Sequence, residues 1–410
     1  MLNKKTASRI LLSCLLFLCT SGSFFAAEKE SSAQTILNVR DFSDKESFTG
    51  GIQEAIDALP ESGGTVIVPV GTFMLRRSIQ PRSGVTIRGQ GNATVLVRPR
   101  EFRTGVTEKI SAKENTAVLR ETGLLQKGDQ VFIKDRKNVG WNARNGIITA
   151  IKDNVLTLRI EHSREDRVFS PSNGAYCANW FPAFWLWNVD NVRIENLAID
   201  GKIEKHPAHR SDFVVAAIHS RGGRDLFVSM VAVRNWPGDG ISLQKTRGAM
   251  VRGCIIENCR GNGLHPGSGA SNTIWTENMV RNNTRRGFFF CMNVTHSVCK
   301  DSIFLNNGES GIGGLGRGDR YNVVSGNICT GNGYNGIEAI FSICNIIQSN
   351  ICRNNCRRRN GPAIYLKGHR DTIVRGNLCA DDQETPTQTD GVVSHAPAGT
   401  NIIENNHTTE

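Results

Sequence analysis

The chain is 410 residues long, with a formal net charge of +11, 39% hydrophobic residues, 42 glycines and 12 cysteines. Past the first 27 residues no stretch is long and apolar enough to cross a bilayer as a helix, and low-complexity tracts and interdomain linkers are absent. These features exclude a multispanning helical membrane protein and a string of linked modules, and paired C-x-x-C metal spacing is absent.

Residues 1–27 read as a secretion signal. Lys4, Lys5 and Arg9 precede an apolar run at residues 10–18, and small residues lead to Ala26 and Ala27. Cys19 follows Leu18 and not a small residue, so no lipid anchor is expected. Loss of the three leader cations leaves a charge of +8 on an exported protein, secreted or periplasmic, with no membrane anchor. Such a surplus points to an acidic partner. Export and the lack of a nucleic-acid motif set nucleic acid aside, and an acidic polysaccharide bound by a monomer fits better.

Residues 28–100 carry a recognisable order. A short amphipathic helix is expected over residues 48–59, with Ile52, Ile56 and Leu59 on one side. Strands at residues 65–68 and 85–88 follow, separated by glycine turns. The run from Ala55 to Phe73, with Val85 to Gly91, resembles the N-terminal cap and first coils of secreted pectate-lyase-like β-helices. In that family the helix covers the open end of the core and blocks end-to-end strand pairing. Residues 101–172 alternate apolar and polar positions around turns and read as a small β insertion. By the same resemblance, it builds one wall of a substrate groove. Just beyond it, residues 176–187 are very aromatic, and Trp180 is the first candidate for stacking on a sugar ring, ahead of Trp185 and Trp187.

From residue 173 to 410 the chain repeats. A Gly-apolar segment recurs with its apolar residue at Ile241, Leu264, Phe288, Ile312, Ile337, Ile364 and Val392, spaced 23, 24, 24, 25, 27 and 28 apart, and Ile218 extends the series by another 23. A period in the twenties without helical spacing is the signature of a solenoid. A second column follows: Asn196, Ser229, Cys254, Asn278, Ser302, Asn327, Asn350, Asn377 and Asn406. Asparagine tolerates left-handed geometry, and stacked amides can bond to one another. This ladder resembles the asparagine stack of right-handed parallel β-helices in the pectate lyase and polygalacturonase superfamily. The expected fold is therefore all-β, a single-stranded right-handed parallel β-helix with a capping helix and a β insertion. Cys329, Cys352 and Cys379 stand two residues after ladder asparagines and are expected to stack as buried free thiols.

Period 2 within each first strand turns one column outward: His219, Ser242, His265, Phe289, Gly313, Glu338 and Tyr365. Two residues further along stand Arg221, Gln244, Gly267 and Cys291, with Asp239, Lys245, Arg285 and Arg286 at the strand ends. Coils lie about 4.8 Å apart, so His219 is roughly 10 Å from His265 and Glu338 roughly 14 Å from it. The polar chemistry is concentrated and mostly basic. His265, flanked by glycines, is the first candidate for proton transfer. His219, Lys245, Arg285 and Arg286 are candidates for charge neutralisation or a second role, and Gln244, Arg221, Glu338 and Trp180 for binding.

Asp239, in Pro237-Gly238-Asp239-Gly240, resembles the Asn-Thr-Asp-Gly segment of polygalacturonases. Asn262-Gly263 and Arg286-Gly287 stand where that family has its Asp-Asp pair and Gly-His-Gly segment, so Asp239 reads equally as a turn residue or a catalyst. The coil from Gly261 to Phe289 is more similar to those of mannuronan C5-epimerases and alginate lyases, with His265-Pro266 in place of their Asp-Pro. That resemblance implies removal of a uronate C5 proton beside a neutralised carboxylate, giving a lyase or C5-epimerase. The alternatives are a glycoside hydrolase, pairing Asp239 with Glu165 or Asp166 of the insertion, and a noncatalytic carbohydrate-binding solenoid. Calcium would need clustered carboxylates. These are scattered here, so no cofactor is expected, and a calcium-assisted reaction stays open without support from the sequence.

Overall fold

The computed structural model describes residues 34–42, 46–111, 113–162, 166–203, 212–316, 318–395 and 401–409. The secretion signal expected at residues 1–27 lies outside them. Among the described residues no helix is long and apolar enough to cross a membrane.

The coils stack as a parallel β-solenoid. First strands form a nine-stranded sheet running from Phe184–Trp187 through Ile218–Arg221, Ile241–Gln244 and Leu264–Gly267 to Gln388–His395. Its register is the one the sequence spacing demands: Ile218 pairs with Ile241, Ile241 with Leu264, Leu264 with Phe288, and Phe288 with Ile312. These apolar residues point into one core together with Val251, Trp275, Val280 and Phe304. The leading glycine of each repeat has a steric cause. A Cβ on Gly263 or Gly287 would sit 2.7 Å from the carbonyl oxygen of the next coil's glycine. Only glycine lets the coils close to hydrogen-bonding distance there.

The asparagine ladder exists, in a different form. Asn327 Nδ2 donates to Asn350 Oδ1 (3.0 Å), Asn350 to Asn377 (3.0 Å) and Asn377 to Asn406 (2.8 Å). The left-handed residue is the one before each ladder position, such as Glu277, Asp301 and Ser349, and not the ladder asparagine itself. Asn196 is such a left-handed residue, at φ 58°, and Ser229 pairs with Glu195, so neither belongs to the column. Leu197 and Val231 are the residues in register. Two further ladders occupy the other corners: Asn283–Asn307–Asn332–Asn355 with links of 3.0, 3.1 and 2.9 Å, and Asn322–Asn345 at 3.0 Å. Each amide also donates to a backbone carbonyl, as Asn327 does to Cys299 O, so these buried groups are satisfied. Asn327→Leu or Asn350→Leu should therefore destabilise the solenoid by about 1–3 kcal/mol. Unchanged thermal unfolding of both variants would refute the ladder's structural role.

Cys329, Cys352 and Cys379 pair in register, buried and free, and all ten described cysteines are free. At the N-terminal end the helix is shorter than expected, Ile52–Asp57, because Gly50 and Gly51 sit at φ 64° and 89° and unwind its first turn. Ile52, Ala55 and Ile56 are buried against the first coil.

The insertion folds as a six-stranded antiparallel sheet with its own apolar core. Tyr176–Ala178, which the sequence reading set beyond the insertion, is one of its inner strands, pairing with both Arg103–Gly105 and Gln130–Lys134. A second apolar cluster of Phe132, Tyr176, Trp180, Val214 and Val215, with Trp141 and Phe213 against it, joins the insertion to the coil segment at residues 212–216. Asp212 fixes that junction by accepting from Gly140 N (2.8 Å), with Lys134 Nζ at 3.4 Å.

Candidate functional site

The junction covers the N-terminal half of the outward column. His219, expected on an open face, is enclosed by Trp141, Trp185 and Phe213, with ring centroids 5.5, 5.8 and 6.3 Å away. Burial, with His265 as a nearby positive neighbour, pushes its pKa down to about 3, so the ring is neutral.

His265 is 4% exposed, not the open side chain that strand alternation suggests. Phe213 and Phe289 flank it at 5.7 and 5.0 Å. Its Nδ1 lies 2.6 Å from Asp239 Oδ2, and Asp239 is itself 1% exposed. Asp239 Oδ1 accepts from Asn262 N at 2.7 Å, which orients the carboxylate. The turn at Gly238-Asp239 can press this close because Gly238 carries no side chain: a Cβ there would stand 2.6 Å from Val215 O. Burial alone would lower the His265 pKa, but the Asp239 carboxylate and the Cys291 thiol outweigh it and raise the value to about 9. At neutral pH the pair is imidazolium and carboxylate. Nδ1–H is committed to Asp239, while the buried Nε2 makes no hydrogen bond of ordinary geometry among the described residues. Two histidines on one face thus hold opposite charge states, set by their surroundings.

Further along the column Arg286 lies over the Phe289 ring (4.8 Å), 2.8 Å from Glu309 and 3.9 Å from Glu338. Ser310 Oγ donates to Glu338 at 2.9 Å. Gly313 makes room for the guanidinium, since a Cβ there would meet Arg286 Nε at 2.5 Å. Arg285 is more exposed and also bonds Glu309, at 3.2 Å. The basic face read from the sequence is therefore largely paired, by a glutamate that the outward column does not contain. Lys245 is exposed just past its strand at φ 57°.

The binding candidates separate. Gln244 is buried and donates to Ser242 Oγ (3.0 Å) within the site. Arg221 lies between Trp141 and Trp187, at 4.4 and 4.5 Å. Trp180 cannot stack on a ligand: it is fully buried, and its Nε1 donates to Glu101 (2.7 Å), which clamps Arg260 in a bidentate pair. Among the tryptophans of that aromatic stretch, Trp187 is the exposed one, at 36%, reversing the expected ranking. The hydrolase alternative would need a carboxylate from the insertion beside Asp239. Both Asp239 oxygens are engaged, Asp166 is exposed beside Arg167 (3.4 Å), and Glu165 lies outside the described residues. No group of three potential metal ligands occurs among the described residues.

Sequence reasoning missed the Asp239–His265 bond, although both residues were candidates, and it missed Trp141, Phe213 and Glu309. One signal was present. Asp239 opens the strand preceding that of His265, so one coil step brings the two together.

The comparisons with known proteins agree with this architecture. The family model for a right handed beta helix region matches residues 182–350. No curated protein matches the chain in sequence. Among solved structures, a mannuronan C-5 epimerase A-module of Azotobacter vinelandii superposes over 91% of this chain and 99% of its own, with a TM-score of 0.54 at 13% identity. DFA-IIIase from Arthrobacter chlorophenolicus covers 92% of this chain and 87% of its own, with a TM-score of 0.59 at 14% identity. The protein is a right-handed parallel β-helix protein. At these identities the likenesses establish the fold.

Proposed function

We propose that the protein is an exported polysaccharide-active enzyme that works at C5 of a uronate in an acidic glycan, as a lyase or C5-epimerase. The observation that carries this reading is the buried Asp239–His265 pair on the outward face of the β-helix. Keeping an imidazolium out of water is costly, and strongly perturbed groups of this kind gather at functional sites. Its Nε2 is buried and makes no hydrogen bond of ordinary geometry among the described residues, with the Cys291 thiol as its polar neighbour. Carbanion formation beside a carboxylate needs a positive charge and a proton donor. His265 supplies both, acting as the acid and not as the neutral base that an open histidine would be. The similarity in fold to a protein named as a mannuronan C-5 epimerase accords with this reading.

The test is a panel of polyuronates, glycosaminoglycans and neutral glycans, followed by ultraviolet absorbance and by deuterium uptake at C5. Unsaturated product identifies a lyase, and deuterium without cleavage an epimerase. New reducing ends without unsaturation would show a hydrolase, and silence in every assay a binding protein. Binding should also weaken steeply with added salt, as expected for a polyanion. Arg286→Ala should reduce affinity roughly tenfold, because it removes a charge-assisted contact and leaves Glu309 and Glu338 facing the ligand. Tight, salt-independent binding of a neutral glycan would defeat the acidic-substrate argument.

A further inference from the structure

We propose that Cys291 is the base of this site, and that with His265 it carries out a same-side elimination. The proposal rests on the C5 reading above and narrows it to a lyase. Cys291 differs from the core thiols. Cys254, Cys299, Cys329, Cys352 and Cys379 are buried in the solenoid interior, whereas Cys291 is half-exposed. Phe289 and Cys291 are two residues apart and so share the outward face, and Cys291 pairs with Gly267 on the coil that carries His265. Its backbone is held on both sides: Cys291 N donates to Pro266 O (3.1 Å), and Cys291 O accepts from Ser268 N (2.8 Å). The strand position of Cys291 is therefore fixed beside the coil of His265, and its thiol is a polar neighbour of the His265 imidazole.

The second observation is His265 itself. Its Nδ1 is taken by Asp239, and its Nε2 is buried with no ordinary hydrogen bond among the described residues. The order is carboxylate, imidazole, thiol, on successive coils. Such an arrangement moves a proton between sulfur and Nε2 and leaves sulfur able to accept another.

The step balances within the site. With the thiol proton passed to His265 Nε2, sulfur takes the C5 proton, so the C5–H bond breaks and S–H forms, and the electron pair passes into the adjacent carboxylate, beside the imidazolium. The C4–O4 bond then breaks as the C4–C5 double bond forms, and O4 leaves with the proton from His265 Nε2. The Cys291 proton returns to Nε2 to reset the pair. Both groups stand on one face of one sheet, so they address one side of a sugar ring. Epimerisation needs donor and acceptor on opposite sides, and this pair does not provide that.

The experiment combines labelling with turnover in the full mature protein. Iodoacetamide at neutral pH, followed by mass spectrometry, should label Cys291 at least tenfold faster than Cys344, the other half-exposed thiol. Asp239→Asn and His265→Gln should slow that labelling. Cys291→Ser, checked for folding by thermal unfolding, should lose unsaturated-product formation by a factor of roughly 10² to 10⁴ while still binding polyuronate, as expected for a missing general base. An active wild type with a fully active Cys291→Ser overturns this proposal alone. A wild type silent on every uronate overturns the C5 reading and this one with it. Equal labelling of Cys291 and Cys344, a covalent substrate adduct on Cys291, or deuterium uptake at C5 without cleavage also overturns it.

Discussion

His265→Ala should lower turnover by a factor of roughly 10² to 10⁴, the usual contribution of a positioned acid or base. The substitution has a second effect that an open surface histidine would not show. It leaves the Asp239 carboxylate, 1% exposed, with Asn262 but without its cation, and breaking one member of a buried pair is strongly destabilising. His265→Gln separates the two effects, since an amide can still donate to Asp239 while it cannot act as an acid. A folded His265→Gln protein with wild-type turnover would exclude His265 from the chemistry. The pH profile gives a further check. The working form is the imidazolium, so activity should fall as pH rises through about 9.

Asp239→Asn should remove a pH-dependent part of the protein's stability. The His265 pKa stands at about 9 in the folded protein, against about 6.5 in an unfolded chain. A raised folded pKa means that the native state binds the proton more tightly. The pair's contribution is then complete below pH 6.5, declines as pH rises, and is lost once pH passes about 9. Each pKa unit is worth about 1.4 kcal/mol, so the contribution is on the order of 3 kcal/mol. Thermal unfolding of the wild type should show this loss between neutral and alkaline pH, and Asp239→Asn should be less stable at neutral pH with a flatter profile. Parallel profiles for the two proteins would mean that the carboxylate does not hold the imidazolium. For activity, Asp239→Asn tests orientation: a large loss accompanied by slowed Cys291 labelling supports a relay through His265, and a loss of turnover with labelling unchanged contradicts it.

The coil register was legible in the sequence because a solenoid makes the same local demand every turn. The leading glycine is needed where a Cβ would strike the neighbouring coil, and the next residue must be apolar because it faces the core. Those demands recur at 23 to 28 residues, and Ile241, Leu264, Phe288 and Ile312 pair as their spacing implies. The ladder was partly legible. Asn327, Asn350 and Asn377 were found, while Asn283, Asn307 and Asn332 were passed over, though spaced by the same period. The assignment of left-handed geometry to the ladder asparagine shifted the column by one residue at Asn196.

Alternation along a strand determines which residues leave the core, and it selected His219, Ser242 and His265. It does not determine what lies above them. That depended on Trp141, carried by an insertion earlier in the chain, and on Phe213 in a coil loop. Their packing is a nonperiodic, long-range apolar contact with no imprint in the repeat. It closes the space above His219 and makes the ring neutral. At His265 the same burial disfavours the charge, and the Asp239 carboxylate with the Cys291 neighbour outweighs it and keeps the ring charged. The repeat was sufficient to define the scaffold and the column of candidates; packing of the insertion and of Phe213 decided which of them are buried, and neighbouring-coil carboxylates outside the column, Asp239 and Glu309, decided which are paired.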